Sequence, residues 1–573
     1  MKTVQAGSGF DDMQPLKKLI GNARIVCLGE ATHGTREFFQ LKHRMLEFLV
    51  TEMGFTIFGI EATMPEGFDV NEYVLTGSGD PEKALAGLYF WTWDTEEVLD
   101  MIRWMRQYNA VPAHTKKVKF YGFDMQFAPR AARVTREYLH RVEPDQDVRT
   151  DSLLSVLADP VLVDSYSQLP LGRKHEFMGA IDSIRGLLNE RKQRYIGRSS
   201  LREWQLTCQH ANVLAQYLEA FIIPGESGAV RDSSMAQNIR WISDFEGRDS
   251  KMVVWAHNGH VGAFSGGGVD GMGVHLRRMF GSEMFVFGFA FNEGRFQAMD
   301  ADSGGLHPFT VGGAPGGSLD STLAAAGLSI AAIDLRSLPK EGPVARYFGG
   351  PLQTRSIGAV FSDRSASNFF ALQEIPRLYD AVLFVESTTS ARPLERGKRP
   401  AARTLPEPSN LDFEKLTPAG QPVDWTIPPG ISSFDFQVLS SDRSPHSGKY
   451  SAMIRRGPGP HYGETSASLS QQVDAKRYRG RRISVSAAVR MESTASNAGT
   501  HLWLRIVTNG KGPMGQGFHM NRDDITIRSN PWQVYHVSGD VGEDADLITY
   551  GISFVGDGTV WVDDVHVEAE TAR

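Results

Sequence analysis

Apolar runs and helical patterns alternate along the first two thirds of the chain. The run Ile25 to Leu28 is short and uninterrupted, which predicts a buried strand, and the stretch REFFQLKHRMLEFLVTEMGF after it repeats apolar residues at helical spacing. Phe55 to Ile60 begins a second unit of the same kind. Because strands that alternate with helices form parallel sheets covered by helices, we expect an α/β domain with a mostly parallel sheet.

Acidic residues or histidines follow four of the apolar runs. They are Glu30, His33, Glu61, Asp124, His257 and His260. The carboxyl ends of parallel strands meet at one edge of a sheet, where α/β proteins bind ligands, so we expect these side chains to form one site. After a single strand such a residue is more often a helix cap, and the fourfold repetition is what favours a site.

Two segments are candidates for shaping a pocket. Trp91 and Trp93 lie in the aromatic stretch LYFWTWDTEEV, which would suit a bulky apolar ligand, with core packing as the alternative. Residues 125–247 carry strong helical patterns and no comparable strand pattern, so we expect a helical insertion that covers the sheet as a lid. The runs LSIAAIDLR and YDAVLFVES then complete the sheet.

The pattern changes after Leu394. Residues 395–409, ERGKRPAARTLPEPS, are rich in Pro, Arg and Ala and lack apolar periodicity, which predicts a linker. Residues 410–573 contain short alternating runs separated by glycine and polar turns, which predicts an all-β sandwich. We therefore expect two domains, residues 1–394 and residues 410–573.

Charge and hydropathy limit the partners. The chain of 573 residues has 60 basic and 67 acidic residues and a net charge of −7, so we expect no nucleic-acid partner, which would need concentrated positive charge. No apolar run approaches a membrane span and the first residues lack a signal-peptide core, so we expect no membrane contact and a cytoplasmic location. A chain from which a leader had been trimmed would look the same and lie outside the cytoplasm.

A serine nucleophile and a catalytic metal are the two alternatives to acid–base catalysis by histidine. Serine nucleophiles on α/β sheets sit in a G-x-S-x-G elbow, which the sequence lacks. A metal site would draw on His257 and His260 at H-x-x-H spacing, with Glu30, His33 and Glu61 as further ligands, although no H-E-x-x-H helix is present. A catalytic metal therefore stays open.

Metal-free hydrolysis uses the same residues. His33 would take a proton from water, with Glu61 or Glu30 orienting its ring, and the resulting hydroxide would attack an ester carbonyl. A cationic or hydrogen-bonding group must then meet the oxyanion, and the candidates are His257, His260 and Arg277. We favour this chemistry and expect no cofactor.

Six ordered blocks, GEATHGTREFF, GIEA, WTWDTEEV, GFDMQ, AHNGHV and MGVHLRRMFG, resemble the erythromycin esterase family over about residues 20–394. The resemblance implies that His33 is the general base for attack of water on a macrolide lactone. It implies an active centre that also holds the residues Glu30, Glu61 and His257, and His260 matches the pattern as well.

A further block, RDSSMAQNI, also matches the family and implies that Arg231 faces the site, although Asp232 or Ser233 would serve equally as a helix N-cap. Our candidates for substrate binding are Trp91, Trp93, Asp124, Arg231 and Arg277.

The C-terminal segments NLDFEKLTPAGQPVDW and WVDDVHVE resemble carbohydrate-binding modules of the galactose-binding-like jelly-roll type. The resemblance implies a glycan partner, and in such modules residues matching Glu414 and Asp563 or Asp564 can hold a structural calcium. The alternative is that these acids only flank strands. Aromatic residues that could stack on a sugar, or pack in the core instead, are Tyr462, Trp503 and Trp532.

The expected function is hydrolysis of the lactone ester of a macrolide such as erythromycin, and hence antibiotic resistance. The partner is a small-molecule ester. One alternative is a metal-dependent hydrolase of another ester, linked to a glycan or a natural product. The other is a non-catalytic ligand-binding protein, which would leave the histidines and carboxylates at the strand ends without a reason.

Overall fold

The structure, a computed structural model, describes residues 1–144, 148–158, 171–220, 227–266, 269–300, 306–394, 407–418, 420–427, 436–456, 466–493, 498–508, 517–520, 527–543 and 545–569. The chain folds as two compact units. One comprises Met1–Val134 and Tyr166–Glu395, and the other comprises Thr135–Ser165 and Arg396–Arg573. Most of the predicted linker lies outside the described residues, so the domain boundaries stay predictions.

The first unit is built on a mixed, mostly parallel sheet. Its principal strands run in the order β3-β2-β4-β1-β7-β13-β9. They are β1 (Ile25–Leu28), β2 (Ile57–Thr63), β3 (Lys119–Asp124), β4 (Met252–Trp255), β7 (Met284–Asp300), β9 (Ile330–Asp334) and β13 (Ala381–Thr388). Only β9 pairs antiparallel along this path. The predicted α/β class is confirmed.

Shorter strands flank the sheet. They are the hairpin β5 (Ser265–Gly266) and β6 (Val269–Asp270), then β8 (Leu306–Val311) and β11 (Val360–Phe361), which pair with β7, and the hairpin β10 (Leu352–Arg355) and β12 (Phe370–Gln373). The register places the four strand ends of interest together, because Leu28 and Ile60 both pair with Trp255 and Thr63 pairs with Asp124. The residues that follow these strands therefore meet at one edge.

The described residues also form helices, most of which belong to the first unit. In chain order they are α1 (Gln14–Ile20), α2 (Arg36–Met53), α3 (Met64–Thr76), α4 (Pro81–Ala86), α5 (Glu96–Ala110), α6 (Pro129–Val142), α7 (Val148–Ala158), α8 (Leu171–Glu190), α9 (Lys192–Arg198), α10 (Leu201–Ala220), α11 (Ser227–Glu246), α12 (Asn258–Val261), α13 (Met272–Phe280), α14 (Leu319–Ala324), α15 (Gly342–Phe348) and α16 (Ile375–Leu378). The described part of residues 125–247 contains helices and no strand, as the sequence predicts. No helix within the described ranges is long and apolar enough to span a bilayer.

Helix α2 packs tightly on the sheet. It ends at Gly54, whose left-handed φ of 72° is easy for glycine and lets its N–H bond to the Leu49 carbonyl. Its buried face carries Phe38 and Phe39, and Lys42 follows on that face at helical spacing. A charged residue is thus placed in the core directly beside the strand ends.

The second unit contains two antiparallel sheets. One has the order β14-β15-β22-β17-β20 and the other the order β16-β21-β18-β19. The strands are β14 (Phe436–Ser441), β15 (Ser451–Arg456), β16 (Ser466–Asp474), β17 (Arg481–Glu492), β18 (Gly499–Thr508), β19 (Gly517–Met520), β20 (Gln533–Val541), β21 (Ala545–Val555) and β22 (Gly558–Ala569). The rings of Phe436 and Phe554, one from each sheet, meet edge to face at 6.2 Å. The predicted all-β unit is confirmed.

Candidate active site

Glu30 and His33 form a carboxylate–imidazole pair just beyond β1. The Nδ1 atom of His33 lies 2.6 Å from Glu30 Oε1. Because an ionised carboxylate can only accept, Nδ1 carries the proton and donates it to Glu30. The Nε2 atom has no hydrogen-bond partner among the described residues, so its lone pair is free to accept a proton.

Two further donors hold the second oxygen of Glu30. Lys42 Nζ lies 2.5 Å from Glu30 Oε2, and the indole Nε1 of Trp255 donates to the same oxygen at 2.8 Å. Burial alone would raise the pKa of Glu30, but Lys42 and His33 outweigh burial and lower it. Burial also lowers the pKa of Lys42 to about 8, although Glu30 opposes that effect. The carboxylate behind His33 is therefore ionised.

Glu61 accepts two hydrogen bonds, one on each carboxylate oxygen, and lies beside His260. Its Oε1 accepts from Arg231 Nη2 at 2.7 Å and lies 3.3 Å from His260 Nε2, while Oε2 accepts the backbone N–H of His257 at 2.9 Å. Burial raises the pKa of Glu61, and His260 and Arg231 more than reverse that effect, so its pKa is lowered. Glu61 is thus a permanent anion.

Arg231 connects helix α11 to the strand ends. Its Nε and Nη2 atoms donate to the carboxylate of Asp124 at 3.1 and 2.7 Å, and Nη2 is shared with Glu61. Asp124 is fully buried at the end of β3. This forked contact fixes the plane of the guanidinium and leaves Nη1 directed at His260 Nε2, 3.0 Å away.

His257 begins the short turn after β4. Its Nδ1 accepts the N–H of Gly259 at 3.1 Å, so its proton is on Nε2, which donates to the Ile357 carbonyl at 3.1 Å. Its ring lies 5.0 Å from that of His33, centre to centre. Burial, followed by the charges of His33 and His260, lowers the pKa of His257 to about 3. His257 is therefore a neutral N–H donor beside the proposed base.

His260 lies at the end of the same turn and faces α11. Its Nδ1 is 2.5 Å from Asp232 Oδ1, and its Nε2 faces Arg231 and Glu61. Asp232 lies inside helix α11, which begins at Ser227. The helix-capping alternative for Asp232 is therefore wrong, and the carboxylate orients a histidine instead.

A side-chain amide and a glycine hold this turn against the sheet. Asn258 Nδ2 donates to the Phe289 carbonyl at 2.8 Å, and its Oδ1 accepts the N–H of Phe289 at 3.0 Å. A Cβ at Gly29 would lie 2.1 Å from the Asn258 oxygen, so the close approach requires glycine. The two histidines are thereby fixed on β7 through a buried residue between them.

Comparisons with known proteins identify the family of the chain. Residues 50–388, more than half of the chain, match the model of the family described as erythromycin esterase. The chain belongs to the erythromycin esterase family. Erythromycin esterase type II of Escherichia coli is 26% identical over 276 residues, covering 44% of this chain and 64% of that protein, so the match spans less than two thirds of its length.

Two solved structures share the fold of the erythromycin esterase domain. A Bacillus cereus protein is 26% identical with a TM-score of 0.61, and the match covers 69% of this chain and 95% of that one. A mutant of the erythromycin esterase EreC in its open conformation is 17% identical with a TM-score of 0.52, covering 66% of this chain and 94% of that one. At this identity, the second match shows the fold alone.

The predicted aromatic wall lies partly beneath the site. Trp93 is buried, donates from Nε1 to the Glu61 carbonyl at 3.0 Å, and meets the His33 ring edge to face at 6.2 Å. Trp93 therefore packs against the His33 ring and holds the backbone of Glu61. Trp91 is half-buried in the same loop.

Arg277 is placed away from the cluster. Its Nη2 pairs with Asp380 at 2.7 Å, and its Nη1 donates to the Met284 carbonyl at 2.8 Å. Met284 is the first residue of β7 and pairs with Ile25, the first residue of β1. Arg277 thus lies at the amino edge of the parallel strands, opposite the site, and the structure does not support its predicted role beside the oxyanion.

The side chains of the candidate site do not fit a metal ion. Lys42 pairs with Glu30, Arg231 pairs with Glu61 and Asp124, and Arg231 Nη1 also faces His260 Nε2. A divalent metal ion would need free lone pairs on carboxylates and imidazoles, and the positive charges of Lys42 and Arg231 already lie at these carboxylates. Within the described ranges, no group of three or more His, Cys, Asp or Glu side chains is arranged to hold a metal.

The C-terminal candidates organise one loop of the β unit. Glu414 Oε1 accepts the N–H groups of Lys449 and Tyr450, and Asp563 accepts those of His446 and Ser447. The side chains of His446 and Ser447 both bond to Asp564. Calcium binding stays a prediction. Among the aromatic candidates, Trp503 is buried, Trp532 donates to the Ser444 carbonyl, and Tyr462 lies outside the described residues.

Sequence reasoning missed three residues that organise the site, Lys42, Asp232 and Asn258. For Lys42 a signal is present, because its spacing from Phe38 puts a charge on the apolar face of α2. For Asp232 the capping interpretation places the start of its helix too late. Nothing in the pattern indicates that Asn258 turns inward to β7.

Proposed function

We propose that this protein hydrolyses a carboxylic ester, the lactone of a macrolide such as erythromycin, with His33 as the general base. The observation that carries the proposal is the pair of Glu30 and His33, whose geometry puts the proton on Nδ1 and leaves Nε2 free. A free imidazole nitrogen backed by an ionised carboxylate is suited to take a proton from water. Membership of the erythromycin esterase family supports the choice of ester.

The proposed hydrolysis has two steps, addition of water to the carbonyl and loss of the alcohol. In the first, His33 Nε2 removes a proton from water while the water oxygen bonds to the ester carbonyl carbon, and the carbonyl electron pair becomes an oxyanion. In the second, the oxyanion electron pair re-forms the carbonyl as the C–O bond of the ester breaks, and the leaving alkoxide oxygen takes the proton from the His33 imidazolium. Glu30 stabilises that imidazolium in between.

The oxyanion needs donors that face the same space as the His33 ring. His257 is neutral and presents an Nε2–H group, now given to the Ile357 carbonyl. Arg231 presents Nη1 toward His260. Such preorganised donors in a partly buried site are worth about 10²–10³ in rate for one hydrogen bond. Arg277 has no role here, because its partners are at the other edge of the sheet.

The test is incubation of the purified full chain with erythromycin, with mass spectrometry for the gain of one water. We expect hydrolysis by the wild type, before and after exhaustive chelation, and a loss of kcat of about 10²–10⁴-fold in His33→Asn. The matched control is His114→Asn in the loop before β3, at the amino edge of the sheet, which should keep full activity.

Each other outcome points to one alternative. Activity lost on chelation and restored by a metal ion would mean a metal-dependent esterase. Activity on acylated or glycosylated esters but not on erythromycin would keep the mechanism and change the substrate. Binding without turnover of any ester would mean a ligand-binding protein, and full activity of His33→Asn would eliminate the base.

A further inference from the structure

His260 is surrounded by more negative than positive charge. Glu61 on β2 and Asp232 on α11 contact its two nitrogens, and Asp124 on β3 lies behind Arg231. Arg231 is the permanent cation of this group, and neutral His257 lies on the same turn. Three carboxylates and one guanidinium leave two negative charges, so a proton on His260 removes half of that excess.

The contacts of His260 allow two hydrogen-bond arrangements at its Nε2, with the ring in one position. When His260 is neutral, Arg231 Nη1 donates to its Nε2 at 3.0 Å, and the proton on Nδ1 is given to Asp232. When His260 is protonated, Nε2 has a proton to give and its acceptor is Glu61 Oε1, 3.3 Å away. Asp232 keeps the Nδ1 proton in both cases. The change of charge therefore changes the partner of Nε2 alone.

We propose that Asp232 is a positioning residue that holds His260 with a proton on Nδ1, so that uptake of a second proton on Nε2 moves His260 from Arg231 to Glu61. This releases Arg231 Nη1, the guanidinium nitrogen that does not contact Asp124. The proton comes from a hydronium ion or other acid in solvent and forms an N–H bond at Nε2, and no other covalent bond changes. A free Nη1 then meets the oxyanion, and this last step rests on the proposed ester hydrolysis.

The electrostatics of the site support the exchange. Burial alone would lower the pKa of His260, but Glu61 and Asp232 outweigh burial and raise it, against the opposing charge of Arg231. The side chains of Asp232, His260 and Arg231 keep between 15 and 21% of their surface exposed, so solvent protons can reach the group. Without Asp232 the ring would lose its second anionic partner and its fixed tautomer.

The first experiment needs no substrate. Histidine ring NMR of the full chain, with the His260 signal assigned by its loss in His260→Gln, reports the tautomer and the titration midpoint. We expect the neutral wild type to carry its proton on Nδ1, and Asp232→Asn to lower the midpoint by about one pH unit or more. Asp232→Glu should restore most of that shift. The control is Asp244→Asn on the same helix, where the exposed Asp244 pairs with Arg240 and should leave the midpoint unchanged.

The second experiment links the exchange to turnover. In Asp232→Asn, the limb of the kcat profile at which His260 loses its proton should move to lower pH with KM unchanged. The proposal is overturned if neutral wild-type His260 carries its proton on Nε2, or if the titration midpoint of His260 is unchanged in Asp232→Asn. A uniform fall of kcat in Asp232→Asn, without movement of the limb of the pH profile, would also overturn it. If Asp232→Asn does not fold, the wild-type tautomer and Asp232→Glu still decide. Absence of any esterase activity would contradict the proposed function and leave the NMR result valid.

Discussion

Lys42 Nζ lies 2.5 Å from Glu30 Oε2, and both side chains are fully buried. The ammonium also sits 4.2 Å from the centre of the Trp255 ring, whose indole N–H bonds to the same carboxylate. The charge that orients His33 is therefore balanced inside the protein and not by solvent. Lys42 therefore makes the second turn of α2 part of the site. Because Glu30 also bonds to His33, the same ion pair affects both the stability of the domain and the orientation of the proposed base.

Removal of Lys42 should destabilise the domain strongly. In Lys42→Met, Glu30 becomes a buried carboxylate without its cation, and the loss of one partner of a buried pair costs about 3–5 kcal/mol. The measurement is the free energy of unfolding from urea denaturation. The control is Lys17→Met, whose exposed pair with Glu52 should contribute little to stability, because solvent screens it. Equal losses in the two variants would contradict the internal balance of charge.

A double variant should separate the structural role of this pair from its catalytic role. Glu30→Gln alone should leave Lys42 unbalanced and reduce kcat by about 10²–10⁴-fold, since His33 loses its carboxylate. Lys42→Met combined with Glu30→Gln should cost less stability than the sum of the two changes, because neither charge remains alone. The activity should not return with the stability. Additive losses would mean that the two residues act independently.

The polar residues at the strand ends were predictable, and their partners were not. Glu30, His33, Glu61 and His257 follow apolar runs, and parallel pairing of those runs must bring their ends to one edge. The choice between Glu30 and Glu61 as partner of His33 depends on the turn after β1, which the pattern does not describe. Likewise, the hydrophobic pattern finds the α11 helix but not its first residue, so the capping alternative for Asp232 could not be rejected from sequence.

Substitution of Arg277 tests whether only the arginine at the carboxyl edge of the sheet, Arg231, takes part in the reaction. Arg277→Gln should leave kcat and KM unchanged, because its guanidinium binds Asp380 and the Met284 carbonyl at the amino edge. Its half-exposed pair should contribute about 1 kcal/mol or less to unfolding. Arg231→Gln, in contrast, should lower kcat strongly. A comparable fall in Arg277→Gln would show that this side chain reaches the substrate.

Asn258 should be essential to the placement of both histidines of the turn. In Asn258→Asp, a carboxylate oxygen would face the Phe289 carbonyl in place of the amide N–H, and a buried unsatisfied group costs about 1–3 kcal/mol. We expect a lower free energy of unfolding and a lower kcat. The control is Asn212→Asp, where the new carboxylate would face Arg185 and only the long 3.4 Å hydrogen bond to Gln209 would be lost, so the cost should be small. Unchanged kcat in Asn258→Asp would mean that the turn is held by other contacts.

Glu66 should make the domain less stable as the pH rises. It occupies the last position of a T-x-x-E sequence that begins at Thr63, yet neither of its carboxyl oxygens has a hydrogen-bond partner among the described residues. Burial raises the pKa of Glu66 to about 7. Because the unfolded chain releases this proton near pH ~4.3 and the folded chain keeps it, stability falls as the pH rises from about 4.5 to about 7.

Glu66→Gln should abolish that pH dependence. The amide keeps the shape of the protonated carboxyl and has no proton to lose, so the variant should match the wild type at about pH 4.5 and exceed it at about pH 8 by up to about 3 kcal/mol. Urea denaturation at the two pH values measures the difference. The control is Glu72→Gln, further along α3, whose exposed side chain should give no pH-dependent change. Equal stability of Glu66→Gln and the wild type at the higher pH would mean that the folded chain ionises Glu66 without cost, which requires a hydrogen-bonded partner for its carboxylate.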